Sequence, residues 1–247
     1  MPVIALAGSL DLVEGTVHGI FFQKNVTSVT VPRSITTIGI GAFANCQLLE
    51  ITILGNVSSI GDYAFAGNRL SEFTIPLSVT SIGNYAFFNN EITAIVIPQG
   101  VVSIGRSAFS SNHLASLSVP ATLISIGNSA FSNNQLTSVE LPPSLSEIGQ
   151  MVFYGNQLSS LIIPESVSVI GDYAFANNRL SSLVLLDSVQ SVGIMAFSGN
   201  PLRIIRVPQN LYLGRDAIPQ GFTTYYNLNG RQAGFYLYND IAWSFSL

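Results

Sequence analysis

Apolar and polar positions recur along this chain with a period of 22 residues. Gly39, Gly61, Gly83, Gly105, Gly127, Gly149, Gly171 and Gly193 form one column, and four residues on Phe43, Phe65, Phe87, Phe109, Phe131, Phe153, Phe175 and Phe197 form another. The residue before each Phe is Ala, except Val152. A third column is Asn, from Asn68 to Asn200, and a fourth is Pro, from Pro32 to Pro208, interrupted by Leu54 and Leu186. Self-similarity at a fixed period is the signature of a stacked repeat architecture. In the unit that starts at Leu70, Phe73 and Ile75 alternate with Glu72 and Thr74, the spacing of a strand with one face inward. Pro76 lacks an N–H and ends that strand. Val79 and Ile82 turn inward in a second, shorter extended stretch. Gly83 is expected at a sharp bend with positive φ, Phe87 in the coil interior against the next Phe, and Asn90 in a ladder that bonds loop backbone groups of adjacent coils.

No single unit can bury its apolar side alone, so the units must stack into a one-dimensional array. The predicted fold is a β-rich solenoid of 22-residue coils, right-handed because each connection joins parallel strands, with short 3₁₀ or helical turns near the Ala-Phe pairs. At a strand spacing of about 4.8 Å, eight coils give a rod roughly 40 Å long. Residues 1–25 read as a degenerate first coil or N-cap, with Phe21 in register and Val17 where Gly belongs. Residues 26–218 read as about eight full units and a partial ninth. Residues 219–247 read as an aromatic cap, with Asn229-Gly230 as a hairpin-turn signal between Tyr225-Tyr226 and Phe235-Tyr236. The cap covers the last open coil, because an open edge pairs with other chains.

Composition narrows the function. Charged residues are 9% of the 247, hydrophobic residues 48%, and mean hydropathy is +0.45, which argues against disorder. No apolar run approaches the roughly 18–20 residues of a membrane helix. With 9 Lys+Arg against 13 Asp+Glu the chain is not a strongly basic nucleic-acid binder. One cysteine, Cys46, excludes an internal disulfide framework and a cysteine-cluster metal site. Met1 to Ser9 carry no basic region and too short an apolar stretch for a signal peptide.

The unit S-[VI]-x-x-I-G-x-x-A-F-x-x-N, carried by residues 26–218, resembles the treponemal, or BspA-like, class of leucine-rich repeats. The tail Tyr225 to Gly234 is similar to the C-terminal tail of spirochaete members. The resemblance implies a bacterial protein, extracytoplasmic (periplasmic or at the cell surface), that binds other proteins, with adhesion to host components as the role proposed for the class. Cys46 in the Asn column is structural by the same comparison.

The residues themselves show no catalytic constellation. His113 sits at a variable position where other coils carry Arg, Glu or Gln, and the abundant Ser recurs in turns. No enzyme, metal or cofactor is expected. The candidate surface is the outward strand column, acidic at one end (Glu50, Glu72), with Val96 and Glu140 further along, and apolar and basic at the other (Ile162, Val184 and Ile204, with Arg203 and Arg206). Clustered, exposed branched apolar residues mark interaction sites, and this surface is expected to take a protein partner. The opposite edge, with Tyr63, Tyr85, Phe88, Met151, Tyr154, Tyr173, Ile194 and Met195, is a second candidate. A small hydrophobic ligand held in a surface pocket near an end of the array is the alternative, and a self-associating structural protein a third reading.

Overall fold

The computed structural model describes residues 3–5, 16–17 and 26–246. They form a parallel β-solenoid of about 8 turns with repeats of ~22 residues, almost no helix, and a C-terminal hairpin. Each coil has three sides. On the first, the strand face, Glu50–Ile53 pairs in parallel with Ser28–Val31, which pairs with Val3–Ala5. On the second, short Ser-Ile strands stack in register: Thr16–Val17, Thr37–Ile38, Ser59–Ile60, Ser81–Ile82, Ser103–Ile104 and Ser125–Ile126. A separate stack follows from Glu147–Ile148 to Tyr212–Leu213. The first-coil segment therefore contributes a strand to each of these sheets; Phe21 lies outside the described residues.

The third side is the Phe edge, and it holds the uninterrupted ladder. Gly41 N–H donates to the Asp62 carbonyl and Phe43 N–H to that of Ala64, both at 2.8 Å, and the same pairings recur as far as Phe197 to Ala217 at 2.9 Å. Behind it the eight phenyl rings from Phe43 to Phe197 are fully buried. Their centroids lie between 5.1 Å (Phe87–Phe109) and 5.8 Å (Phe131–Phe153) apart, nearly parallel. Offset parallel stacking is a favoured geometry for the ring quadrupoles, so one phenyl per coil serves both as core filling and as register mark.

The asparagine ladder is present as expected. Asn90 Nδ2 donates to the carbonyls of Phe65 in the preceding coil, at 2.9 Å, and of its own Phe87, at 3.2 Å; its Oδ1 accepts from Leu70 N–H at 3.2 Å. One buried amide thus bonds three backbone groups, and the Phe65 and Phe87 carbonyls each accept a second bond, from Asn68 at 2.8 Å and Asn112 at 2.9 Å, so the ladder is continuous from coil to coil.

Two local expectations are corrected. The column glycines do not adopt positive φ. They are required because a Cβ on Gly105 would stand 2.4 Å from the Gly83 carbonyl carbon and one on Gly83 2.6 Å from that of Gly61. The positive φ falls two residues later, at 57° for Tyr63, 56° for Tyr85, 60° for Ser129 and 50° for Met195. With the Ala64 N–H to Gly61 carbonyl bond of 3.3 Å, this is the pattern of a type II turn. A left-handed residue in every coil also stops a right-handed helical run, so consecutive turns stand where 3₁₀ or helical segments were expected.

At the C-terminal end, Phe222–Leu228 is a helix, not the first arm of a hairpin. Phe222 and Tyr226, four residues apart on one helical face, are both buried. Asn229-Gly230 ends this helix, with Gly230 at φ 75°, the left-handed C-terminal cap in which glycine is favoured. The hairpin lies further on, between Gly234–Tyr238 and Trp243–Ser246. Its turn is held by Asn239 Oδ1, which accepts from Ile241 N–H at 3.1 Å and Ala242 N–H at 2.9 Å. Gly234–Tyr238 pairs antiparallel with Ile204–Val207, so the cap continues the strand face. The helix and the buried rings of Tyr236 and Trp243 close the end of the core.

Candidate functional site

The outward strand column emerges as sequence phase dictates. Glu50, Glu72, Ala94, Ser116, Ser138, Ser160, Ser182 and Ile204 are exposed, as are Thr52, Thr74, Val96, Ser118, Glu140, Ile162 and Val184, while Arg206 is half-buried. Among the apolar members Ile162 is 81% exposed and Val96 67%. Val96 stands between Thr74 and Ser118 in its column, apart from the others. Ile162, Val184 and Ile204 belong to three successive coils near the cap.

The cap enlarges that apolar area. Antiparallel register places Leu237 opposite Ile204 and Phe235 opposite Arg206, and both added side chains are exposed. Reading Asn229-Gly230 as the hairpin turn hid these two residues. The signal for them was available: Phe235 and Leu237 alternate with Tyr236 and Tyr238 at strand spacing.

The two arginines assigned to this surface are engaged within the protein. Arg203 Nη2 lies 2.8 Å from Asp240 in the hairpin turn; that hydrogen bond, then the Asp240 charge, raises the guanidinium above its ordinary value. Arg206 Nη1 donates to the Leu185 carbonyl at 3.0 Å and its Nη2 lies 3.3 Å from Asp187. They brace the last coil and the cap beside the apolar residues.

The strand face is not one sheet. Strands are present at Glu50–Ile53, Ala94–Val96, Ser116–Ser118, Ser182–Val184 and Ile204–Val207, while residues 72–75, 138–141 and 160–163 are unpaired. Phe73 explains the first break. It occupies a column otherwise filled by aliphatic residues, and its ring wedges 5.3 Å from Phe65 and 4.7 Å from Phe87. No side chain explains the second break, over 138–163. The missing column prolines do not govern pairing. Leu54 uses its N–H to bond the Val31 carbonyl at 3.0 Å, and pairing persists beside Leu186, where Leu183 faces Ile205.

Each side of the detached 72–75 segment is grooved. One groove, of about 370 Å³, is lined by Phe73, Ile75, Leu77, Val96, Pro98 and Leu117 among others. The other, of about 590 Å³, runs between residues 49–53 and 71–76. Both lie on the strand face within the array, not at an end of it.

On the opposite edge, Tyr63 and Tyr85 stack at 4.8 Å and Phe88 meets Tyr85 edge-on at 5.8 Å. Tyr154 Oη accepts from Asn177 Nδ2 at 3.0 Å. The Tyr63–Tyr85 and Asn177–Tyr154 contacts run between coils and the Tyr85–Phe88 contact within one, and all are accounted for by the packing of the array. Among the described residues no group of three His, Cys, Asp or Glu could hold a metal ion, His113 is exposed, and no helix is long and apolar enough to cross a membrane.

A solenoid of parallel coils with an outward strand face, a buried Phe column and an Asn ladder defines a leucine-rich repeat protein. The BspA type leucine rich repeat region matches residues 17–134 and 102–220, with 6 copies; the chain belongs to that family. A leucine-rich repeat protein from Bacteroides ovatus is similar at 30% identity and a TM-score of 0.72, covering 79% of this chain and 53% of that one. A leucine rich cell surface protein from Faecalibacterium prausnitzii is similar at 26% identity and a TM-score of 0.50, covering 84% and 62%. The pneumococcal vaccine antigen PcpA shares the fold at 21% identity and a TM-score of 0.57, covering 75% and 52%. The chain thus spans little more than half the length of these relatives. No curated protein matches it. Proteins of this family and fold act in protein–protein interaction or adhesion, are typically non-enzymatic, and are typically at the cell surface or secreted.

Proposed function

We propose that this chain is a non-enzymatic binding module that engages another protein through the cap-proximal strand face. The observation that carries the reading is the apolar patch built by Ile162, Val184 and Ile204 and extended by Leu237 and Phe235 across an antiparallel pairing. Exposed apolar residues in contiguity, rimmed by polar and charged groups, are the usual mark of a protein interface. The rim here is Arg203, Asp187 and Asp240, while Arg206 stands within the patch between Val184 and Phe235, half-buried and held by Asp187. Flanking serines such as Ser160 and Ser182 let a partner approach closely. The acidic end, with Glu50 and Glu72, the isolated Val96, and Glu140 one coil before Ile162 are secondary contacts along the same face. Surface display and a host component as partner agree with the family, and the tail from Tyr225 to Gly234 is the feature that speaks for a spirochaete source. A small apolar ligand is the weaker reading, because the groove beside Phe73 is open along the strand face. Capture of host extracellular proteins by immobilised wild type, but not by an Ile162→Glu/Val184→Glu double variant of unchanged melting temperature, tests the proposal. Equal capture by the two would overturn it.

A further inference from the structure

The groove between residues 49–53 and 71–76 brings three features together. The first is open backbone. Residues 72–75 make no backbone–backbone hydrogen bond among the described residues, and Glu50–Ile53 pairs only with Ser28–Val31 on its other side. Two extended segments therefore face one another across about 590 Å³ with donors and acceptors unused. Backbone polar groups are obligatory hydrogen-bonding groups, and an unpaired strand edge is a template for another strand.

The second is the state of the inward side chains. Ile51 and Phe73 are half-buried, whereas Val29 one coil earlier and Ile95 one coil later are 1% and 2% exposed. The groove leaves apolar surface uncovered at its floor. The third is charge. Glu50 and Glu72 occupy the same column on either wall, both exposed, with Thr52 and Thr74 two residues further on, and no lysine or arginine lines the groove.

We propose that this groove takes an extended, basic polypeptide segment as an added strand. The inference rests on the protein-binding reading and names the chemistry of one partner element. Backbone bonds to the Glu50–Ile53 edge and to residues 72–75 supply the pairing, as in other cases of strand addition. Alternation along the added strand sets its sequence. A Lys or Arg lies outward between Glu50 and Glu72, the next residue points inward on Ile51 and Phe73 and is apolar, and the one after lies outward between Thr52 and Thr74 and is polar. Exposed carboxylates disfavour a nucleic acid or an acidic peptide at the same place.

The test is fluorescence anisotropy of the whole chain with three labelled heptapeptides. One has the sequence Ser-Lys-Ile-Thr-Val-Lys-Ser; in the second both Lys are replaced by Glu; the third is the Lys peptide N-methylated at alternate backbone amides. Saturable binding is expected for the Lys peptide alone. It should weaken roughly five-fold in Glu50→Gln/Glu72→Gln, as loss of two exposed charge pairs implies, and remain unchanged in Ile162→Glu/Val184→Glu. Absence of saturation, equal binding of the N-methylated peptide, or equal binding by Glu50→Gln/Glu72→Gln would each overturn the groove proposal. If the peptide fails while Ile162→Glu/Val184→Glu still abolishes protein capture, the groove falls and the binding module stands.

Discussion

At the scale of the residue, the repeat makes some side chains legible and leaves others silent. The Phe and Asn columns declare their roles because a buried ring and a buried amide have few alternatives. Phe109→Ala should cost about 3–5 kcal/mol in chemical denaturation, since its ring is stacked on both sides, at 5.1 Å from Phe87 and 5.6 Å from Phe131. A cost below about 1 kcal/mol would mean that the coil closes without it. The glycine column is legible as glycine but not in its cause, because positive φ and close approach both select against a Cβ. Here close approach decides, and it yields a graded prediction. Gly105→Ala meets backbone at 2.4 Å, whereas Gly149→Ala meets first the Asn128 Oδ1 side-chain atom, at 2.6 Å. Backbone cannot yield as a side chain can, so Gly105→Ala should lower stability by about 1–3 kcal/mol, in the range of overpacking, and Gly149→Ala by clearly less. The left-handed position was unreadable from sequence, because Tyr63, Tyr85 and Met151 stand where Gly or Asn is expected.

At the scale of the element, local signals compete, and the cap shows which wins. Asn-Gly between aromatic runs reads as a two-residue hairpin, yet the four-residue spacing of Phe222 and Tyr226 buries both rings on one face of a helix, and the same Asn-Gly ends that helix. Tyr226 Oη then donates to the Pro208 carbonyl at 2.7 Å and accepts from Leu211 N–H at 3.1 Å, tying helix to last coil. Burial raises the Tyr236 phenol to about 12 from its model-compound value of 10.0 and raises Tyr226 as well. An unfolded tyrosine ionises near pH 10 while the folded Tyr236 remains neutral, so the unfolded state holds fewer protons in that range and gains stability as pH rises. The contribution of Tyr236 is fully present below pH 10 and lost on passing through about pH 12. The melting temperature should fall across that window, and tyrosinate absorbance should show a late-titrating group that is absent in Tyr236→Phe.

At the scale of the whole molecule, stacking and exposure are divided between sides. The Phe edge and its ladder bind coil to coil without interruption, so the strand face is free to open at 72–75 and again over 138–163. The solenoid itself was legible, since a 22-residue period with strand alternation admits little else. The opening at 72–75 was not, because the bulk of Phe73 acts between coils and nothing in its own unit marks it as too large. The apolar patch was legible in Ile162, Val184 and Ile204 and incomplete without Phe235 and Leu237, which depend on the register of the cap. The most direct measurement is capture of the proposed protein partner by the double variant Ile162→Glu/Val184→Glu beside the control Ile124→Glu, whose residue is also exposed, at 64%, but lies off the strand face. With melting temperatures equal, loss of capture in the double variant alone is the predicted result. Capture that survives in the double variant, or is lost equally in both, would contradict the assignment of binding to the strand face.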